Sequence, residues 1–334
     1  MKKIPIVVLA LAVVGVGAGV YFLSWISGPG GEGGEDVEVT IAQGSSAQQI
    51  AETLESSRVV DSALAFRLFL RREGVGPELR AGDYQLRISQ PFDELLSELK
   101  KGPPAEYVEL TIAEGLNIKQ TAEAVEAQTH ISEADFLEAA TPDRVTPALL
   151  PQDGETLEGF LYPSTYFVEE KETAETLVAR MIQEFDERTR DLGLSEPNDF
   201  GLSPYEVLVL ASLVEEEAKA DEERRRISAV IHNRVESGMA LGIDATIQYA
   251  VDKYHGEPLT VSDLAIDSPF NSRTNAGLPP HPISSPRAGS IEAALNPADD
   301  DATYYVLTED CLHHFFTSDY NEFLAAKARQ PSGC

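Results

Sequence analysis

The sequence predicts a mixed α+β protein: a single N-terminal transmembrane helix, a small β/α domain and a larger mixed α+β domain. Three observations predict it. An uncharged apolar run opens the chain, a strand–turn–helix pattern occurs twice, and from about residue 104 helical and strand-like stretches alternate with long proline-rich loops. With 334 residues and 43% hydrophobic content, the chain has length and apolar material for two cores.

The opening run extends from Ile4 to Ile26 without a charge. At about 1.5 Å per residue, a helix of that length crosses a hydrocarbon core of about 30 Å. Lys2 and Lys3 place residues 1–3 on the cytoplasmic side, and Tyr21 and Trp25 fall where interfacial aromatics belong. A signal peptide cut after Val16-Gly17-Ala18 is the competing reading, but the apolar run continues past that point, so an uncleaved anchor is expected. Either way the rest of the chain lies outside the cytoplasm. Residues 27–36 are glycine-rich and polar, a flexible linker.

The first domain is expected over residues 37–103 and the second over 104–334. Val37-Glu38-Val39-Thr40-Ile41-Ala42-Gln43-Gly44 is echoed by Val108-Glu109-Leu110-Thr111-Ile112-Ala113-Glu114-Gly115. Each copy alternates like a strand, reaches a glycine turn and enters an amphipathic helix, the first carrying Ile50 and Leu54, the second Ile118, Ala122 and Val125. Two copies are too few for a solenoid. Between them, residues 79–86 predict a turn entering a strand, and Phe92 to Leu99 a short helix; Lys100-Lys101-Gly102-Pro103-Pro104 marks the boundary.

In the second domain, Thr173 to Leu192 predicts a helix of mixed charge. Ser203-Pro204-Tyr205-Glu206 is a helix start with a serine cap, proline in the first turn and a glutamate that completes a capping box. Another helix is expected from about Asp221 to Ser237, stopped by Gly238. A short segment around Asp244, a long loop from Ser268 to Pro286 and a late strand over Tyr304 to Leu307 follow.

The formal net charge of −30, from 26 Lys and Arg against 56 Asp and Glu, argues against a nucleic-acid partner, which requires a basic face. Arg67, Arg71, Arg72, Arg80 and Arg87 form a local basic cluster, suited either to acidic peptides or to a solvated face balancing nearby acids. The two cysteines, Cys311 and Cys334, are too few for a disulfide framework. His313-His314 beside Cys311 lacks the spacing of a metal site, so neither metal nor cofactor is expected.

The helix that begins at Ser203 carries the chemistry. Val207 to Leu210, Ala211, Leu213 and Val214 make it apolar on most sides, and Glu215, Glu216 and Glu217 follow in a row. Successive directions differ by about 100°. Glu216 points with Ser212, Glu217 lies over Leu210, Leu213 and Val214, and Glu215 lies over Leu208 and Ala211. A carboxyl on an apolar face resists ionisation, as a general acid working near neutral pH must. The pattern separates Glu217 from Glu215 only weakly, and three acids also suit the solvated end of a helix.

Leu210-Ala211-Ser212-Leu213-Val214-Glu215-Glu216-Glu217-Ala218 resembles the signature of the MltG/YceG family of endolytic murein transglycosylases. Matching stretches keep the family's order. They are Arg80-Ala81-Gly82-Asp83-Tyr84, Leu157 to Tyr166, Asn233-Arg234, Asp244-Ala245-Thr246 with Gln248-Tyr249, Ser268-Pro269-Phe270-Asn271-Ser272, Gly277-Leu278-Pro279-Pro280 and Ala293 to Pro297. The resemblance covers nearly the whole chain and implies a LysM-like first domain and a catalytic second one. It implies that Glu217, the second glutamate of the Glu-x-Glu pair, is the catalytic residue. Departures are Glu216 where the family carries lysine, Ala245 for proline, His281 for glycine, and Leu312-His313-His314 for a Gly-Gly-His segment.

The implied reaction cleaves the β-1,4 bond between MurNAc and GlcNAc without water and leaves 1,6-anhydroMurNAc ends. Asn271, Thr246, Gln248, Tyr249 and His314 are the expected substrate contacts, although the first four also suit fixing of loop and turn geometry. Glu215 is expected to support the catalytic acid. Asp244 and Glu158 either orient it or cap turns and helices. The expected partners are peptidoglycan glycan strands, the cell-wall synthases (penicillin-binding proteins) and the inner membrane that holds the anchor. The alternatives are a non-catalytic wall-binding scaffold and a hydrolytic muramidase.

Overall fold

The computed structural model describes residues 34–75, 79–103, 107–195, 200–254 and 256–331. The expected membrane span over 4–26 lies outside them. Among the described residues no helix is long and apolar enough to cross a membrane. The chain divides into two compact units, the second beginning at Tyr107. The architecture is mixed α+β, as expected, with three two-stranded antiparallel sheets among the described residues.

In the first unit β1 (Asp36–Ile41) pairs with β2 (Gly82–Arg87), Val39 facing Tyr84. Helices α1 (Ala47–Ser56), α2 (Ala63–Arg72) and α3 (Phe92–Lys101) cover the sheet. Their apolar stripes meet around Leu54, Phe66 and Leu95, all fully buried, and the Phe66 and Phe92 rings pack edge to face at 5.2 Å. The arginine-rich helix α2, capped by Ser62, was not apparent in the sequence.

The second unit repeats the opening. β3 (Tyr107–Thr111) pairs with β4 (Thr165–Glu169), and a glycine turn leads into α4 (Ile118–Gln128). The units share more than the echoed residues. Both glycines are left-handed, Gly44 at φ +80° and Gly115 at φ +76°. Both helices start with a capping box that has glutamine as its third residue, Ser46 with Gln49 and Asn117 with Gln120. In both returning strands a tyrosine hydroxyl donates to the carbonyl four residues upstream at 2.6 Å, Tyr84 to Arg80 and Tyr166 to Tyr162.

Then follow α5 (Glu133–Ala139), α6 (Ala174–Thr189), α7 (Pro204–Glu217), α8 (Arg224–Glu236), α9 (Asp244–Ala250), α10 (Val261–Leu264), α11 (Ala288–Leu295) and α12 (Tyr320–Lys327). β5 (Tyr304–Leu307) pairs with β6 (His314–Thr317). The expected helix over 221–237 is a 3₁₀ turn at Asp221–Glu223 followed by α8. At the centre lies α7. Every residue from Val207 to Val214 is buried, against α8 and α11 among others. This all-round burial explains a sequence with apolar side chains on nearly every face.

Candidate active site

Three glutamates end α7, with no basic residue in its last turn. Acids there oppose the helix macrodipole, whose C-terminal end is partially negative. The three carboxylates face different surroundings from distant segments.

Glu215 is a buried anchor with a side chain only 4% exposed. It accepts from the Arg224 guanidinium at 3.3 Å, from the Arg287 Nε at 3.2 Å and from the Arg287 backbone N–H at 2.9 Å. Arg224 also donates to Ser290 Oγ at 2.6 Å. One carboxylate therefore ties α7 to the starts of α8 and α11. The arginines that hold it were not singled out in the sequence.

Glu216 turns towards the glycine turn of the second unit: a Cβ built on Gly115 would lie 3.1 Å from its Oε1. It borders a small polar cavity together with Asn117, Gln248, Tyr249 and Lys253. Behind that cavity Glu158 is buried. It accepts from the Ile118 N–H at 3.0 Å, at the start of α4, and from the Tyr249 hydroxyl at 3.2 Å. Glu158 thus caps a helix. Burial pushes its pKa up to about 8, a rise the two hydrogen bonds only partly offset. Tyr249 packs against Phe270 and His281, with ring centroids 5.1 and 5.6 Å away. Burial lowers the pKa of His281 and raises that of Tyr249.

Glu217 points to the third side. Its Oε2 accepts from the hydroxyl of Tyr305, on β5, at 2.7 Å. Tyr305 is held well above its ordinary pKa, chiefly by burial and then by the Glu217 carboxylate, so it stays a donor. Behind it, His314 Nδ1 lies 2.7 Å from Glu223 Oε2, and the His314 ring meets the Tyr305 ring edge to face at 5.4 Å.

The remaining expected site residues divide. Gln248 and Tyr249 lie on the Glu216 side, with the Gln248 amide donating to the Glu257 carbonyl at 2.7 Å. Asp244, at the start of α9, is exposed and paired with Arg273. Thr246 is fully buried and donates to the Ile243 carbonyl at 2.8 Å, with Ser272 Oγ 2.9 Å away. Asn271 is fully buried too, its amide donating to the carbonyls of Leu264 and Ile266 at 3.1 and 3.0 Å. His314 has a side chain only 5% exposed. In these last three, Thr246 and Asn271 bond backbone carbonyls within the fold and His314 bonds Glu223 and packs on Tyr305. His313 bonds Asp310 and Glu222, and among the described residues no cluster of three or more His, Cys, Asp or Glu is placed to hold a metal.

Other motif residues build the frame. The Asn233 amide donates to the carbonyls of Asp300 and Ala302, and Arg234 Nε to that of Thr303, which fixes the approach to β5. Ser212 Oγ accepts from the Ile283 N–H at 3.1 Å, and Gly115 and Leu116 exchange backbone hydrogen bonds with Ser285. Tyr305, Glu223, Arg224 and Arg287 were missed from sequence. Only for Tyr305 was there a signal: a tyrosine in a short strand late in the chain.

Residues 39–329 match the model of the YceG-like family. A Bacillus subtilis protein named endolytic murein transglycosylase is 31% identical over 284 residues, covering 81% of this chain and 78% of that one. A Streptococcus pneumoniae protein of the same name is 34% identical over 301 residues, again over 81% of this chain; the chain spans 54% of that relative's length. The crystal structure of a yceG-like protein from Listeria monocytogenes superposes with a TM-score of 0.57 at 29% identity, covering 87% of this chain and 99% of that one. With its sequence matched almost from end to end and its fold shared with a solved relative, this chain belongs to the YceG-like family.

Proposed function

We propose that this protein is an endolytic murein transglycosylase that cuts peptidoglycan glycan strands, with Glu217 as acid and then base. The observation that carries the proposal is the placement of Glu217: a carboxyl at the end of a buried helix, its Oε2 hydrogen-bonded by a tyrosine that stays protonated. The names of the Bacillus and Streptococcus relatives support the same reaction class.

In this reading Glu217 begins as the acid, with Tyr305 donating to its Oε2. Glu217 gives its proton to the glycosidic oxygen, and the GlcNAc side leaves as an alcohol. The carboxylate then takes the proton of the MurNAc 6-hydroxyl, and O6 bonds to C1. Proton gain and loss balance and no water is consumed, so one carboxyl serves both steps where hydrolytic glycosidases use two. Glu215 is turned to Arg224 and Arg287 instead. Residues 4–26 serve as the membrane anchor, residues 37–103 as a LysM-like module and residues 104–334 as the catalytic domain. The extracytoplasmic face of the membrane, where synthases release nascent strands, is then the place of action.

Incubating the full chain with un-cross-linked glycan strands and weighing the products tests the reaction. Internal fragments with anhydroMurNAc ends are expected from the wild type, with a loss of at least about 10³-fold in Glu217→Gln. Products one water heavier make the protein a muramidase. Binding without cleavage makes it a scaffold.

A further inference from the structure

We propose that Tyr305 is a positioning residue for Glu217, and that the Glu223–His314 pair holds Tyr305 in place. The inference rests on Glu217 being the acid and base of the reaction. It adds that the carboxyl is set from β5 as well as from its own helix.

Three contacts carry it. The Tyr305 hydroxyl donates to Glu217 Oε2 at 2.7 Å. The Tyr305 ring is backed by His314 at 5.4 Å and by Phe316, its partner across the β5–β6 ladder, at 6.1 Å. His314 is fastened to Glu223 twice, by its backbone N–H at 2.9 Å and by Nδ1 at 2.7 Å, with side chains only 5% and 10% exposed. A nearly buried His–Glu pair is costly to desolvate. Here it fixes the plane of an imidazole that packs edge to face on the ring of Tyr305, whose hydroxyl reaches the reacting carboxyl. Glu223 follows α7 by a short turn, so the segment that ends in Glu217 returns to brace its own partner.

The charged groups around Tyr305 come from several elements: Glu217 on α7, Glu223 on the following turn, Arg234 on α8, Asp244 on α9 and His314 on β6. Of these, Glu217 accepts the hydrogen bond that the tyrosine hydroxyl donates. A hydrogen bond donated to a carboxylate favours its charged form. Removing the donor therefore raises the pH at which the acid loses its proton, while leaving it less well oriented.

The test compares pH profiles of strand cleavage by the full chain for wild type, Tyr305→Phe and Glu217→Gln. Tyr305→Phe keeps the ring and its packing. Its kcat should fall about 10- to 100-fold with little change in KM, and the alkaline limb of its kcat profile should move up by about one pH unit. With 3-fluorotyrosine at position 305, a stronger donor of nearly the same shape, the limb should move the other way. A Tyr305→Phe limb that coincides with the wild type, whatever its rate, overturns the proposal, as does a limb unmoved by fluorination. If Glu217→Gln cleaves like wild type, the catalytic reading itself falls. If it is inactive and the limb does not move, that reading stands and only the role of Tyr305 falls.

Discussion

Gly44 and Gly115 occupy equivalent positions in two copies of one pattern. Each ends a strand, adopts a positive φ and leads into a helix with the same type of capping box. Around Gly44 there is nothing within 4 Å of a built Cβ, whereas at Gly115 that atom would crowd Glu216. Gly115 also donates its N–H to the Ser285 carbonyl at 3.2 Å. The turn that only reverses the chain in the first unit lies against the acidic helix end in the second. Charges differ in the same way. The Arg87–Glu94 pair of the first unit is exposed, with side chains 37% and 52% accessible, but Glu215 and Arg224 of the second are buried. Similar local chemistry lies against an acidic helix end in one copy because of what packs over it.

The comparison is most severely tested at the ion pairs. Glu215→Ala leaves Arg224 buried without its carboxylate and should cost about 3–5 kcal/mol. Arg87→Ala should cost under about 1 kcal/mol. Calorimetry on the full chain, resolving the transitions of the two units, separates these outcomes. Equal losses would mean that the second unit gains nothing from its buried pair.

The glycines sharpen the contrast. Gly44→Ala should cost only the left-handed backbone strain, about 1–2 kcal/mol, and leave cleavage unchanged. Gly115→Ala adds the displacement of Glu216, so it should be less stable than Gly44→Ala and should also slow cleavage. Matched melting and activity for the two variants would remove Gly115 from the site.

A smaller effect depends on pH. Glu158 has a folded pKa of about 8 against an ordinary 4.5. Between these values the folded protein keeps a proton that the unfolded chain releases, so stability falls as pH rises. The contribution is fully present below about pH 4.5 and lost by about pH 8. Glu158→Gln should abolish this slope, so its melting temperature should gain on the wild type from pH 5 to 8. Parallel melting curves across that range would show that Glu158 is ionised in the fold.

The smallest difference is expected between the paired tyrosines. Tyr84→Phe and Tyr166→Phe each remove one hydroxyl donated to a carbonyl, and each should cost about 1 kcal/mol. A large gap between the two, read in urea, would mean that the shared geometry hides different roles.

Much of this was legible in the residues. The echoed strands, their glycine turns, the buried helix from Pro204 and the row of three glutamates depend on periodicity and capping within a few positions. That Glu215, Glu216 and Glu217 face different ways follows from helical rotation alone. Sequence determined neither which direction meets arginine nor which meets tyrosine. Arg287 lies 72 residues from Glu215, and Tyr305 lies 88 from Glu217. The partner strand β4 and the short helices α5 and α10 were equally hidden, because pairing and burial select them more than their own propensity. For Asn271 and Thr246 a polar side chain has the same sequence signature whether it faces a ligand or a carbonyl, and only the fold shows the backbone carbonyls they bond. Sequence by itself therefore determined the local frame and the residue types at its end. The tertiary structure alone decided which carboxyl became an anchor and which met a proton donor, since burial and long-range partners set the charge state of an acid.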